Sequence, residues 1–191
     1  MARPDRVFVD ANELFPFSVM DLVLSLAEDL LIDFVWTDEL LEEWERVIVR
    51  EGRRSPETAR SVSEAVRRFL RSTRIEPELY RDRISIVPGP DPADRAHTAA
   101  CSFGGATVLL TRNVRDFPLD FLAEHGVDVS SADTYLTGLL RSRPAAFLET
   151  VRRMAAGKTQ PPVSPCDLAG SLDKAGTSRL AAALRRRLRC S

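Results

Sequence analysis

The 191 residues carry 27 Lys+Arg against 28 Asp+Glu, with 44% hydrophobic and 29% charged side chains. That balance excludes collagen-like, low-complexity and disordered chains, and at roughly 100–200 residues per domain it allows one domain plus a small appendage. No uncharged apolar run approaches the roughly 18 residues of a membrane span, and Asp5, Arg6 and Asp10 interrupt what would be a signal-peptide core.

In chain order, residues 6–9 read as a short apolar strand ending on Asp10. Asn12 can cap a helix continuing to Ala27, with Leu14, Phe17, Leu22, Leu24 and Leu26 as its apolar positions. Residues 31–36 give a second strand. Thr37 or Asp38 then caps an amphipathic helix whose apolar set is Leu40, Leu41, Trp44, Val47 and Ile48. Ser55-Pro56-Glu57 opens another helix with Pro in its first turn. Residues 84–87 are expected as a third strand, stopped by Pro88-Gly89-Pro90. Pro92 starts a helix ending near Gly104-Gly105, residues 107–111 form a fourth strand, 117–124 a short helix and 127–129 a fifth strand. Strands alternating with helices require a parallel sheet covered on both faces. The fold class is α/β.

Beyond about residue 130 the strand signals stop. Residues 130–140 and 144–156 look helical, 157–165 (GKTQPPVSP) is a linker by composition, and 177–189 is a final Ala/Leu/Arg helix. The charge is split along this line. Residues 1–140 hold 16 Lys+Arg and 25 Asp+Glu, a balance of −9; residues 141–191 hold 11 and 3, a balance of +8. A basic run such as Arg185-Arg186-Arg187-Leu188-Arg189 suits nucleic acid or an acidic partner, or else neutralises the acidic body. Cys101, Cys166 and Cys190 are scattered, with no CxxC pair. An odd, dispersed set points away from a disulfide framework and a thiolate zinc site, towards incidental thiols in a reducing cytoplasm.

The acids carry the chemistry. In an open α/β sheet, ligands bind beyond the carboxyl ends of the strands. Asp10 sits at such an end, Asp94 opens the helix after the third expected strand, and Asn113 and Asp116 follow the fourth in TRNVRDF. Glu43 lies early on the second amphipathic segment. Carboxylates brought together from separate segments raise one another's pKa until a cation neutralises them. An all-oxygen cluster suits a hard cation such as Mg²⁺ or Mn²⁺. Each acid alone has an ordinary structural use, as a cap, a helix-start charge or a surface residue.

The segments VFVDAN, TDELLEEWERVI, DPADRAHTAAC and ATVLLTRNVRDFP, in this order over residues 5–135, resemble the PIN-domain nucleases that serve as toxins of bacterial VapBC-type toxin–antitoxin pairs. The resemblance implies a three-layer PIN-like domain over 1–135, with a helical, basic extension over 136–191 and a linker at about 157–167. It implies an endoribonuclease that hydrolyses RNA phosphodiesters with a metal-activated water and Mg²⁺ or Mn²⁺ as cofactor. The family's acids fall on Asp10, Glu43, Asp94 and Asp116, the three aspartates being metal ligands. Glu42 is the competing register for Glu43; neighbours on a helix point about 100° apart, so one of them faces the site. Asn113 takes a slot that is an Asp in many relatives, which makes the site one charge poorer. Arg112, Arg95, Asn113 and Thr111 are expected at the substrate, while ion pairing for the arginines and packing for Thr111 are the structural alternatives. The resemblance further implies RNA, a cognate antitoxin and a second copy as partners, in the cytoplasm and away from membranes. The stretch 14–19 could line the antitoxin contact.

Other chemistries lack their parts. A phosphotransfer aspartate needs a nearby Lys, and the two lysines, Lys158 and Lys174, lie beyond the α/β body. Neither GxxxxGK[ST] nor GxGxxG occurs, so no nucleotide cradle is encoded. His97 is expected as a partly buried helix residue and His125 as a helix-end cation. The alternative of another class is a PIN-fold RNA-binding or regulatory module without turnover.

Overall fold

A computed structural model describes residues 3–190. The described residues form two compact units, one of residues 3–15 and 33–130, the other of residues 16–32 and 131–190.

The first unit is built on four short strands, β1 (Arg6–Val9), β2 (Asp33–Val35), β3 (Val108–Leu110) and β4 (Asp128–Ser130). All neighbours are parallel, in the order β2-β1-β3-β4. The two central strands are continuous apolar runs because each is covered on both faces: Val7, Phe8, Val9, Leu109 and Leu110 are fully buried. Register pairs Val7 with Val108 and Val9 with Leu110, so β1 and β3 end level. From β1 the chain passes first to β2 on one side, then to β3 on the other. The order therefore reverses between β1 and β3, where a crevice opens at the carboxyl ends.

The helices of this unit start where their caps predict. In α3 (Asp38–Arg50) the Thr37 hydroxyl accepts from the Leu40 N–H at 3.2 Å. The next helix, α4 (Pro56–Phe69), has Ser55 as its cap, and in α5 (Pro92–Phe103) the Asp91 carboxylate accepts from Ala93 N–H at 2.7 Å. These pairings satisfy first-turn amides that have no intrahelical partner. A short helix, α6 (Leu119–Glu124), links β3 to β4.

Two expectations for this part of the chain are corrected. The helix expected from Asn12 to Ala27 is broken into α1 (Ala11–Leu14) and α2 (Phe17–Glu28). Pro16, at φ −68° and ψ 111°, interrupts it, having no N–H and a ring that bars a continuous helix. The strand expected at 84–87 is absent; residues Arg81–Ile86 form a 3-10 helix instead. An apolar run of four residues does not discriminate strand from other structure, and Ile86 is 64% exposed, unlike a residue of a covered parallel strand.

The second unit consists of α2 with four helices that follow the sheet, α7 (Ala132–Ser142), α8 (Pro144–Ala156), α9 (Pro165–Lys174) and α10 (Ser178–Leu188). Its core is Val19, Leu22, Val23, Leu26, Leu136, Phe147, Val151, Leu172, Leu180 and Leu184. Polar links reinforce it. Arg153 pairs with Glu28 and Asp29, both at 3.1 Å, and Lys158 with Asp21 at 2.7 Å. The Asp133 carboxylate accepts from the N–H groups of Arg179 and Leu180 and so caps α10.

The cysteine expectation is overturned in part. Cys166 and Cys190 form a disulfide, with Cα atoms 5.8 Å apart, while Cys101 is a buried free thiol. The helical hairpin brings the start of α9 beside the end of α10, a proximity that a spacing of 24 residues does not reveal.

Candidate active site

The crevice between β1 and β3 is where polar side chains enter the interior. Asp10 is 4% exposed, and its backbone N–H continues the β1–β3 ladder to Leu110 O at 2.8 Å. Its Oδ2 accepts from the Thr111 hydroxyl at 2.9 Å. Thr111 is itself fully buried and accepts from the Asn113 N–H at 3.0 Å. The hydroxyl is thus held between a donor and an acceptor, and it fixes the Asp10 carboxylate; a charge-assisted bond of this kind is stronger than a neutral one.

One helical turn past Asp10, Glu13 is 1% exposed and pairs with the Arg112 guanidinium. A buried carboxylate needs such a cation. The Arg112 side chain remains 39% exposed. Glu13 is a site-wall residue the sequence reading passed over, and the spacing Asp10-x-x-Glu13 at a helix start was its signal.

From α3, Glu43 turns inward and Glu42 outward. The Glu43 side chain is 25% exposed and its Oε2 lies 3.5 Å from His97 Nε2, whereas Glu42 is exposed. Burial raises the Glu43 pKa, and the charges of Asp10, Asp94 and Asp91 raise it further against the pull of Arg46. Asp94, half-buried on the first turn of α5, is pushed up to about 6 by burial and by Asp91, Asp10 and Asp116. His97 is driven towards its neutral form by near-complete burial, although Asp10, Glu39 and Asp91 oppose this. Its Nδ1 is buried without a hydrogen-bond partner. Beside these, Asp116 is exposed in the 3-10 turn Val114–Asp116 and Asn113 is exposed just before it. Arg95, half-buried, has an Nε with no partner.

Five acids from four segments therefore feel one another's charge: Asp10, Glu43, Asp91, Asp94 and Asp116. Among the described residues no three His, Cys, Asp or Glu side chains stand close enough to ligate one ion together. Mg²⁺ keeps several of its waters and takes one or two carboxylates directly. An all-oxygen set in which burial, and after it the neighbouring acids, hold Glu43 and Asp94 towards protonation fits such a cation, with part of the contact through water.

Residues 6–115 match the PIN domain family model, and the chain belongs to the PIN domain family. Residues 132–186 match the VapC50 C-terminal domain, giving the chain the make-up of a VapC-type nuclease toxin with a C-terminal extension. No curated protein and no solved structure matches. No described helix is long and apolar enough to cross a membrane.

Proposed function

We propose that the protein is a metal-dependent endoribonuclease toxin that hydrolyses RNA phosphodiester bonds and is neutralised by a cognate antitoxin. One observation supports the reading: at a strand-order reversal Glu43 and Asp94 have raised pKa values, first from burial and then from the charges of the acids beside them, Asp10 and Asp91 acting on both. Carboxylates kept under such repulsion await a positive charge.

Asp10, Asp94 and Asp116 would hold Mg²⁺ or Mn²⁺, which when bound supplies a Lewis acid and makes its coordinated water a nucleophile near neutral pH. The protein's own groups do the rest. Thr111 holds Asp10 in one orientation. Glu43, its carboxyl pKa raised above the usual value by burial and by neighbouring acids, would orient the attacking water and take up its proton at the carboxylate, for which a raised pKa is suited. Arg112, with Arg95 and Asn113, takes the phosphate oxygens; an arginine fork fits a phosphate in two-point fashion. RNA, the antitoxin and a second copy of the chain are the partners of this reading, in the cytoplasm.

The test is cleavage of a total RNA pool with Mg²⁺ or Mn²⁺, with and without EDTA, by wild type and Asp10→Asn. Discrete cuts lost on chelation and in the variant are expected. A PIN-fold RNA-binding module without turnover is the second reading, favoured by the lack of three directly converging ligands among the described residues. Absence of cuts by folded, metal-loaded, antitoxin-free protein would establish it.

A further inference from the structure

The basic extension does not spend its charge evenly. Within the second unit the acids pair with a defined subset of cations: Glu149 with Arg152, Glu28 and Asp29 with Arg153, Asp21 with Lys158, and Asp173 with Arg185. Arg141, Arg186 and Arg187 have no ion pair among the described residues. All three are exposed, and all three line one cleft of about 220 Å³ between α7 and α10, with Thr137, Leu140 and Ala183. Three exposed arginines without an acid partner around one cleft leave it open to an anion, whose charge all three would attract. Thr137 lines the same cleft, its Oγ1 shielded from solvent.

We propose that this cleft is a phosphate-binding site that seats the backbone of the RNA. The ligand class rests on the ribonuclease reading above. Its chemistry is that of a phosphodiester: planar arginine forks match phosphate oxygens. The volume is below the roughly 300–1,000 Å³ of pockets that enclose whole small molecules, so the cleft takes a phosphate with part of its ribose and not a base. Binding here is blind to sequence, as backbone contacts are. It would raise the residence of any RNA on the toxin and leave the choice of scissile bond to the acidic crevice.

The test uses the full-length Asp10→Asn protein in EDTA with a 2′-O-methyl oligoribonucleotide, which offers phosphates and resists cleavage. Arg141→Ala/Arg186→Ala/Arg187→Ala should weaken binding about tenfold or more at low salt and flatten the log K against log salt slope by about 2. Arg143→Ala/Lys174→Ala/Arg179→Ala removes the same charge from residues of this unit outside the cleft lining. It should weaken binding by less than about threefold. Circular dichroism of each variant controls for folding, which exposed side chains do not govern. Equal losses in both variants would make the attraction diffuse and overturn the cleft, as would no loss in the first. Displacement of the RNA by a poly-glutamate peptide at lower concentration than by a phosphate oligomer would assign the cleft to an acidic protein and overturn the RNA assignment. Since no turnover enters these readouts, failure of the nuclease reading shows separately, as uncut RNA in the wild type.

Discussion

Thr111 shows how a single side chain sets the reactivity of another. With its hydroxyl removed, the buried Asp10 loses a charge-assisted hydrogen bond, a loss of about 1.5–3 kcal/mol in general. Thr111→Val should therefore lower the melting temperature and cut RNA cleavage about tenfold, whereas Thr111→Ser should keep most of both; melting curves and initial rates decide it. Asp94→Asn should do the opposite to stability. Because burial and neighbouring charge raise its pKa to about 6, the ionised form costs the fold free energy at pH 7.5. Discounted for its partial exposure, the gain is about 1 kcal/mol, or about 2–4 °C in metal-free protein. Mg²⁺ should narrow the difference by stabilising the wild type. A variant no more stable than wild type in EDTA would show that the acids do not repel one another. Asp10 and Asp94 stood out in sequence because one follows a strand and the other opens a helix, whereas Glu43 and Asp116 needed the order of the motifs around them. Glu13 had only its spacing from Asp10 as a signal, and its role is seen once Arg112 stands beside it.

Among the elements, the junction of α3 and α4 is held by charge. Asp38 accepts from Arg67 at 3.1 Å and from Arg74 at 2.6 Å. Burial alone would raise its carboxyl, but the two guanidinium groups prevail and hold it below the usual value of 3.8. A depressed folded pKa means that the pairing stabilises above the unfolded value and is lost as pH falls through the folded one. Asp38→Asn should thus cost about 1–2 kcal/mol from pH 5 to 7, a penalty that shrinks below about pH 3.8 in urea melts. Constant cost down to pH 3 would refute the pairing. Caps were the most legible element signals: Thr37, Ser55 and Asp91 open their helices as their side chains dictate. The same signature at Ser164-Pro165-Cys166-Asp167, a full capping box, was hidden in what composition marked as linker. The run at 84–87 failed for the reverse reason. It had the composition of a strand, but in the finished sheet β1 is flanked on both sides by β2 and β3, and the run lies in a 3-10 helix.

At the scale of the whole molecule, the disulfide and the division into units were both beyond the reach of sequence periodicity, because each joins segments distant along the chain. Closing a loop of 24 residues between Cys166 and Cys190 stabilises by about 3 kcal/mol in the chain-entropy picture. Cys166→Ser should lower the melting temperature of the second unit, and dithiothreitol should lower that of the wild type to the same point. Unequal end points would mean that the thiols contribute by packing alone. A fragment ending at residue 135 is a harder case. It retains α2, whose Val19, Leu22, Val23 and Leu26 are buried in the second unit, but lacks the helices α8 and α9 that α2 packs against. Such a fragment should bind a hydrophobic dye and aggregate in gel filtration, where the full chain does not. The membership of residues 16–32 also sets an order of events during synthesis. The ribosome adds roughly 115 residues between Glu28 and Pro144, about 6–23 s at about 5–20 residues per second. Every strand and every acid of the crevice has been synthesised before α8 is. The half that carries the acids is thus complete in the nascent chain while α2 still waits for its partners, a sequence of birth fixed by connectivity and not by strength.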